Sequence, residues 1–346
     1  MLLTPDVPLA PLTTLGLGGP ARRFARVTNV DELKQALAAA GDEPVLVLGG
    51  GSNLVIRDGG FAGTVIQIAI EGVRIREHGD LAVVSAFAGE SWDGFVAQMA
   101  DAKLAGVECL SGIPGLVGAT PMQNVGAYGQ EVADTIVLVR VLDRQTGEIE
   151  SFEPRDCGFA YRTSAFKGSD RWVVLEVRFR LARSAESMPL KYVELTRALG
   201  IPEGGRAPLA EVRAKVIELR RGKGMVVDRA DPDSRSAGSF FMNPIVDAET
   251  LARLESRLPP GTPLPKWPAP DGKTKLSAGW LIERAGFAKG HGTGAAGIST
   301  KHALALVNRG EATTRELLAL AGEIQDGVRT RLGIDLVPEP VIAGID

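Results

Sequence analysis

The sequence has few of the residues on which disulfide-rich proteins and metalloproteins depend. Among its 346 residues only Cys109 and Cys157 are cysteines, and no CxxC or paired Cys/His spacing occurs. A disulfide framework and a structural zinc site are therefore not expected, and the compartment is predicted to be reducing. The three histidines, His78, His291 and His302, are scattered, which argues against metal-centred hydrolysis. We expect no metal site.

A dominant charge and a long apolar run are also missing. The 39 basic and 42 acidic residues give a formal net charge of -3, so no global positive field exists to hold nucleic acid or an anionic membrane. No apolar stretch is long enough to cross a bilayer. The start, MLLTPDVPLAPLTTLGLGG, contains three prolines and no Lys or Arg before Arg22, unlike a secretory signal. These features predict a cytoplasmic protein with neither nucleic acid nor membrane as a partner.

What the chain does contain is a globular composition with an excess of glycine. Hydrophobic residues make up 45% and charged residues 23%, as in soluble globular proteins, and the length suggests two or three domains. The 42 glycines are about twice the number that average usage of about 7% gives. Such a backbone predicts loops that approach a ligand or another segment closely.

Periodicity predicts helices and strands mixed without a regular βαβ alternation, which favours an α+β fold. The predicted helices cover 31–40, a segment from Ser91 that Gly106 ends, 209–219, 277–285 and a segment from Thr313, whose spacing to Glu316 is that of a capping box. The predicted strands are 44–48, 64–70, 81–86, 135–142, 148–152 and 172–181. A polar stretch after 181 predicts a domain boundary, giving domains 1–185 (subdomains of about 1–63 and 64–185) and 186–346.

Two glycine-rich segments predict a dinucleotide held by backbone. Gly49 to Asn53 directly follows a predicted strand, and its consecutive N–H groups suit an anion, with a tight turn as the alternative. The segment from Gly112 to Gly129 is too rich in Gly and Pro for regular structure yet apolar enough to pack. The GxGxxG match at 292–297 follows a helix and the GKT at 272–274 lacks the first P-loop glycine, so neither predicts a nucleotide site.

Four motifs, in order along the chain, resemble the UDP-N-acetylenolpyruvoylglucosamine reductase (MurB) family: LVLGGGSNLVI, GIPGLVGATPMQNVGAYGQE, CGFAYRTSAFK and AGSFFMNP. The resemblance runs from about Thr14 to Gly344. It implies a vanillyl-alcohol-oxidase/PCMH-type FAD-binding domain, then a C-terminal α+β substrate-binding domain whose tail, about 334–346, returns to the flavin site. It also implies an enzyme that binds FAD non-covalently, takes hydride from NADPH and reduces UDP-N-acetylglucosamine enolpyruvate to UDP-N-acetylmuramate in bacterial peptidoglycan synthesis. Separately from the resemblance, we expect a monomer.

The resemblance also implies three catalytic residues. Hydride addition to an enolpyruvyl double bond puts negative charge on the adjacent carboxylate, which an arginine fork suits, and Arg162 matches the family arginine. Glu339 matches the glutamate that stabilises the intermediate or orients Arg162, and Ser239 matches the serine that protonates the other carbon. Taken alone, each residue has a plainer interpretation: a surface arginine, a solvated glutamate and a loop serine.

The remaining site residues implied by the resemblance fall into two sets. The FAD set is Gly49, Gly50, Gly51, Ser52, Asn53, Gly112, Ile113, Pro114, Gly115, Gly118, Asn124, Gly126, Ala127 and Tyr128. The substrate set is Tyr192, in a loop typical of the type I subgroup, with Arg221, Lys223, Asn243 and His302. Arg220, Arg221 and Lys223 form a basic cluster suited to a diphosphate, or the ordinary cationic end of a helix.

Two departures from the family pattern stand out: His302 replaces a glutamine on the diphosphate side, and Pro340 follows Glu339 without a backbone donor. Two other functions remain open from the sequence. One is a sugar or alcohol oxidase of the same flavin superfamily, and the other is a catalytically silent UDP-sugar-binding protein.

Overall fold

The computed structural model describes residues 3–345, and these form two compact units. The first contains 3–7, 21–51 and 62–222, and the second contains 8–20, 52–61 and 223–345. This division differs from the predicted boundary at 185, because 186–222 belong to the first unit. Leu190, Leu195, Val212 and Val216 share a buried apolar cluster there with Cys109, so packing, and not the polar stretch in the sequence, decides where the unit ends.

Most elements are short. The strands are β1 (Thr4–Pro8), β2 (Pro20–Val27), β3 (Val45–Leu48), β4 (Leu54–Ile56), β5 (Phe61–Ile68), β6 (Val73–His78), β7 (Leu81–Phe87), β8 (Leu104–Ala105), β9 (Gly126–Ala127), β10 (Gln130–Glu131), β11 (Ile136–Asp143), β12 (Ile149–Phe152), β13 (Trp172–Arg183), β14 (Ile245–Val246), β15 (Lys266–Pro268), β16 (Thr274–Leu276), β17 (Ala296–Ile298), β18 (Leu306–Asn308) and β19 (Val341–Ala343). The α-helices are α1 (Val30–Ala40), α2 (Trp92–Asp101), α3 (Val193–Leu199), α4 (Leu209–Gly222), α5 (Ala248–Arg257), α6 (Ala278–Arg284) and α7 (Thr314–Leu332).

Two sheets organise the first unit. One has the order β1-β2-β5-β3, with β3 and β5 parallel. The other has the order β12-β11-β13-β7-β6 and is antiparallel, with β8 also paired to β13. The apolar faces of both sheets and of α1 and α2 share one buried cluster that includes Ile66, Trp92, Phe95 and Phe179. The predicted strands 64–70, 81–86, 135–142, 148–152 and 172–181 are confirmed within one to two residues at most ends.

Helix ends in the first unit follow their local caps. Asn29 accepts a hydrogen bond from Glu32 N and begins α1, and Gly41, with φ of 60°, follows its last residue. Ser91 begins α2 by accepting from Gly94 N. The prediction that Gly106 ends α2 is wrong: the helix ends at Asp101 and the chain continues into β8, so Gly106 lies beyond that strand.

The second unit packs α5, α6 and α7 with short strands around a core that includes Phe240, Leu281, Ile298 and Ile324. Its strands form the sheet β14-β16-β15, the hairpin β17-β18 and the parallel pair β4-β19. The predicted capping box of α7 is confirmed, since Thr313 accepts from Glu316 N and the Glu316 carboxylate accepts from Thr313 N. Across residues 3–345, none of the helices combines the length and the apolar character that a membrane span needs.

Candidate functional site

The two glycine-rich segments meet in the first unit. A Cβ placed on Gly50 lies 2.8 Å from Gly115 Cα and 3.3 Å from Gly115 C, so the two backbones touch where a side chain cannot fit. Gly115 itself has φ of 115°, a conformation that favours glycine. The segment from Gly112 to Gly129 is therefore packed although it is largely irregular, as its composition predicts. It lies against the segment from Gly49 to Asn53.

The neighbouring α2 region determines the path of the second segment. Trp92 N donates to Gly115 O at 3.0 Å, and Gly118 N donates to Ala88 O at 3.0 Å. A Cβ on Gly118 lies 2.5 Å from Ala88 Cβ, so glycine is needed for this approach. Ile113 and Pro114, which precede both anchors, are half-buried. The two hydrogen bonds thus fix the backbone of the segment at Gly115 and Gly118.

Asn124 is the internal support of the second segment. Its side chain is 1% exposed and its backbone is left-handed, with φ of 47°. Nδ2 donates to Glu131 Oε2 at 2.7 Å and to Ala160 O at 3.3 Å, while Oδ1 accepts from Ala133 N at 3.1 Å. The amide predicted to bind FAD is thereby engaged in holding the segment in shape and in joining it to the turn at 160.

That turn carries Arg162. Thr163 N donates to Ala160 O at 3.2 Å, and Arg162, with φ of 53°, occupies the third position, where such turns favour glycine. A non-glycine residue in this conformation costs about 1 to 2 kcal/mol and is often found at functional sites. Arg162 Nη2 donates to Gly126 O at 2.8 Å. The guanidinium is thus held against the same segment that contains Gly126, Ala127 and Tyr128.

Tyr128 and Tyr192 are brought together by this arrangement. Their rings are 5.3 Å apart between centroids and inclined by 81°, which is the edge-to-face geometry. Tyr192 is the N-cap residue directly before α3 and is 42% exposed, so it is available to a ligand. Burial raises the pKa of Tyr128 to about 12, with the nearby Arg220 charge opposing the rise, and burial also raises the pKa of Tyr192. Both hydroxyls are therefore neutral donors at neutral pH.

Helix α4 is connected to the start of the second glycine-rich segment through Asp93. Asp93 Oδ1 accepts from Gly112 N at 2.6 Å, and its carboxylate accepts from both Nη atoms of Arg213 at 2.5 and 2.9 Å. Burial by itself raises the pKa of Asp93, yet these hydrogen bonds outweigh it and hold the pKa below its usual range. Burial lowers the pKa of the half-buried Arg220 to about 10, against the opposing effect of Tyr128 and Asp93. Arg221, beside it, is exposed.

In the second unit, Ser239 and Glu339 are placed by backbone pairing. Glu339 N donates to Phe240 O at 2.9 Å, and Met242 N donates to Val337 O at 3.0 Å, so the chain after Ser239 runs beside the chain before Glu339. Phe240 N also donates to Leu304 O at 2.7 Å. Ser239 thereby sits one residue from a fully buried phenylalanine that fixes its position.

The tail returns to the end of the first glycine-rich segment, where Ser52 and Asn53 belong to the second unit. Val341 N donates to Asn53 O at 3.0 Å, and Asn53 Nδ2 donates to Glu339 O at 3.5 Å. Pro340 lies between Glu339 and Val341, whose N–H groups both have backbone acceptors. The missing donor of Pro340 therefore interrupts neither pairing.

The other substrate residues of the second unit lie on separate segments. Asn243 Oδ1 accepts from Ala278 N at 2.9 Å at the start of α6. His302 N donates to Ser299 Oγ at 3.2 Å, and its imidazole is half-buried. Lys223, also half-buried, immediately follows α4. The Asn243 side chain is thus fixed by backbone, and His302 is held through its own N–H.

Two carboxylates that support the site, Glu108 and Asp93, were not predicted from the sequence. Glu108 is 2% exposed, and its place among Val107, Cys109 and Leu110 is a signal for a buried acid. Asp93 gave no local signal, because its partner Arg213 is 120 positions away. Both carboxylates fix segments that carry the predicted residues.

Comparison with known proteins gives two family matches along the chain. The description "FAD binding domain" matches residues 21–153, and "UDP-N-acetylenolpyruvoylglucosamine reductase, C-terminal domain" matches 231–343. The two matches confirm the predicted combination of a PCMH-type FAD-binding domain with the C-terminal domain of this family.

Full-length relatives agree with these matches. The UDP-N-acetylenolpyruvoylglucosamine reductase of Thermobifida fusca is 56% identical, covering 98% of each chain. That of Salinispora arenicola is 54% identical, covering 96% of this chain and 94% of its own. Among solved structures, UDP-N-acetylenolpyruvylglucosamine reductase from Thermus caldophilus has a TM-score of 0.67 and 28% identity, covering 99% of each chain.

Proposed function

Because the chain belongs to the UDP-N-acetylenolpyruvoylglucosamine reductase family, we propose that it reduces the enolpyruvyl ether of UDP-N-acetylglucosamine to UDP-N-acetylmuramate, an oxidoreductase step of peptidoglycan synthesis. FAD is its cofactor and NADPH its reductant. The observation that carries this proposal is identity of 56% to a relative across 98% of both chains.

The contact of Gly50 with Gly115 supports FAD as the ligand of the first unit. The contact fixes the backbone of Gly49 to Gly51, which directly follows β3 and carries no side chains, and consecutive N–H groups of this kind suit a dinucleotide held by main chain. Bound FAD supplies the hydride relay between NADPH and the substrate. We assign its binding to the set predicted from Gly49 to Asn53 and from Gly112 to Tyr128, with Asn124 acting through the shape of the segment.

We assign stabilisation of the developing charge to Arg162. Hydride addition to the terminal carbon of the enolpyruvyl group leaves the electron pair on the adjacent carbon and its carboxylate. A guanidinium held by Gly126 O can face that carboxylate as a fork, without having to be ordered during the reaction. Glu339 is fixed by the hydrogen bond from its N–H to Phe240 O. We assign it either to orienting the arginine or to stabilising the charged intermediate.

Ser239 is the proposed proton donor. Its hydroxyl gives a proton to the carbon that carries the electron pair, and solvent restores the hydroxyl, so that NADPH and one proton are consumed for each substrate reduced. Tyr192, Arg221, Lys223, Asn243 and His302 are assigned to the UDP-sugar, where Arg and Lys suit the diphosphate. The buried free thiols of Cys109 and Cys157 suit the reducing cytoplasm, and we propose that the enzyme acts there as a monomer.

Two measurements test the proposal. Purified protein should be yellow and should release intact FAD on denaturation, and NADPH oxidation should depend on the enolpyruvyl substrate. NADPH oxidation by oxygen alone indicates an oxidase, and flavin that is absent even after addition of FAD indicates a silent binding protein. Size-exclusion chromatography with light scattering tests whether the protein is a monomer in solution.

Ser239→Ala separates proton donation from other roles. The variant should keep FAD and be reduced by NADPH at the parental rate, whereas its reoxidation by substrate should slow by at least about a hundredfold, the low end of general-acid contributions. Stopped-flow absorbance follows the two half-reactions. Loss of flavin reduction assigns Ser239 to the cofactor or the fold instead.

A further inference from the structure

One buried carboxylate joins the two segments that carry Tyr128 and Tyr192. Glu108 Oε1 accepts from Gln130 Nε2 at 2.9 Å and from Met188 N at 2.7 Å, while Oε2 accepts from Gly106 N at 2.6 Å. The side chain is 2% exposed. Burying a carboxylate is costly unless it is hydrogen-bonded, so these three donors stabilise it where it is.

The Met188 bond anchors what we call the arm, residues 186–208. The arm is a ladder in which Ser187 N donates to Ala207 O at 2.8 Å and Leu190 N donates to Gly205 O at 2.9 Å, with α3 at its tip. Tyr192 begins that tip. Met188 lies four residues before Tyr192, so the bond to Glu108 constrains the strand of the ladder that leads directly to the tyrosine.

The Gln130 bond anchors the other tyrosine. Gln130 pairs with Ala127 across β9 and β10, with Tyr128 and Gly129 as the turn between them. Gln130 Oε1 also accepts from Cys109 N at 2.8 Å, so this side chain is held at both ends beside Glu108. A Cβ on Gly129 lies 3.7 Å from Tyr192 N, which places the turn directly against the arm.

We propose that Glu108 is a positioning residue that sets Tyr192 against Tyr128 and thereby determines the affinity for the UDP-sugar. The inference deepens the proposed function and rests on it, because it takes Tyr192 as a substrate-binding residue. Hydrogen bonds to a charged acceptor are the strong ones, so losing the Met188 bond should let the arm move relative to the turn.

Met188→Pro removes the N–H donor and leaves Glu108 unchanged. A proline should fit at position 188 for two reasons. The ladder hydrogen bond here is donated by Ser187 N, and position 188 already precedes Pro189, which favours the extended backbone that another proline needs. Met188→Ala is the matched control, because it removes the same partly exposed side chain and keeps the donor. Glu108→Gln is a second variant, in which an amide N–H replaces one acceptor oxygen.

Substrate affinity is read from the flavin absorbance change of the holoenzyme. Met188→Pro should raise the Kd for the enolpyruvyl substrate about tenfold over Met188→Ala, the loss expected for one charge-assisted hydrogen bond. Flavin content and the rate of flavin reduction by NADPH should not change. In a Tyr192→Ala background the two Met188 variants should differ by less than about twofold, since the positioned group is gone. An equal effect in both backgrounds, or none in either, overturns the proposal.

A second readout separates failure of this inference from failure of the proposed function. If the parent protein shows no absorbance response to the substrate, the proposed function fails, and with it the role in affinity. The anchoring itself is then decided by trypsin cleavage after the exposed Lys191. Faster cleavage in Met188→Pro than in Met188→Ala supports anchoring by Glu108, and equal rates refute it.

Discussion

Substituting alanine for Gly50 tests whether the contact between the glycine-rich segments builds the cofactor site. The added Cβ lies 2.8 Å from Gly115 Cα, whereas ordinary contacts begin at 3.4 Å, so the backbones must separate by about 0.6 Å (3.4 minus 2.8). Overpacking of this kind costs about 1 to 3 kcal/mol. Because the atom opposite is backbone rather than a flexible side-chain end, the segments cannot relax cheaply.

Gly49→Ala is the matched control. A Cβ on Gly49 meets Ala119 Cβ and Leu116 Cδ1 at 3.9 Å, which is ordinary contact, and neither Gly49 nor Gly50 has a positive φ. The two variants therefore add the same methyl group to neighbouring positions and differ in what it meets. We expect the free energy of unfolding to change by less than about 1 kcal/mol in Gly49→Ala.

The assay is urea unfolding at saturating FAD, followed by FAD titration of each variant. FAD stabilises each variant by RT ln(1 + [FAD]/Kd), so the Kd from the titration is used to subtract this contribution before the variants are compared. Gly50→Ala should lose about 1 to 3 kcal/mol and bind FAD more weakly. Equal stability of the two variants refutes the reasoning, because it means that the segments separate at no cost.

Three further predictions concern charged residues. Arg171 Nη2 donates to Asp143 Oδ2 at 2.7 Å, and this hydrogen bond is the main cause that lowers the pKa of Asp143 to about 2. Its stabilising contribution is therefore present above the unfolded pKa of about 4 and is lost as the pH falls through about 2, and Asp143→Asn should flatten that part of a stability–pH profile. Asp93→Asn, which weakens the pair with Arg213, should cost about 1 to 2 kcal/mol in urea unfolding. Lys223→Ala should raise the Kd for the UDP-sugar about tenfold with an unchanged Tm, and an unchanged Kd leaves only the helix-end interpretation.

The two departures from the family pattern have different consequences in the structure. Pro340 is accommodated because the hydrogen-bonded N–H groups belong to its neighbours, Glu339 and Val341. His302 keeps a hydrogen-bonding ring on the side assigned to the diphosphate, supported by Ser299.

Interactions between residues close in sequence were sufficient to predict part of the secondary structure and the helix caps. Alternating periodicity predicted the long antiparallel strands, and helical periodicity predicted α1, α4 and α7. This worked because the spacing of apolar residues within each element shows which of its faces is buried. Caps such as Thr313 with Glu316 act within one turn, so the sequence predicted them directly. The four motifs indicated the family and the residues to consider.

Tertiary structure alone decided how those residues are supported. The contact of Gly50 with Gly115, the pairing of Glu339 with Phe240 and the bond between Glu108 and Met188 join positions from 65 to 99 residues apart. The same is true of the extent of the first unit, where residues 186–222 pack on Cys109 although the sequence changes composition before them. Such contacts depend on complementary shape and on buried polar groups finding partners, and neither property is visible in a local stretch of sequence.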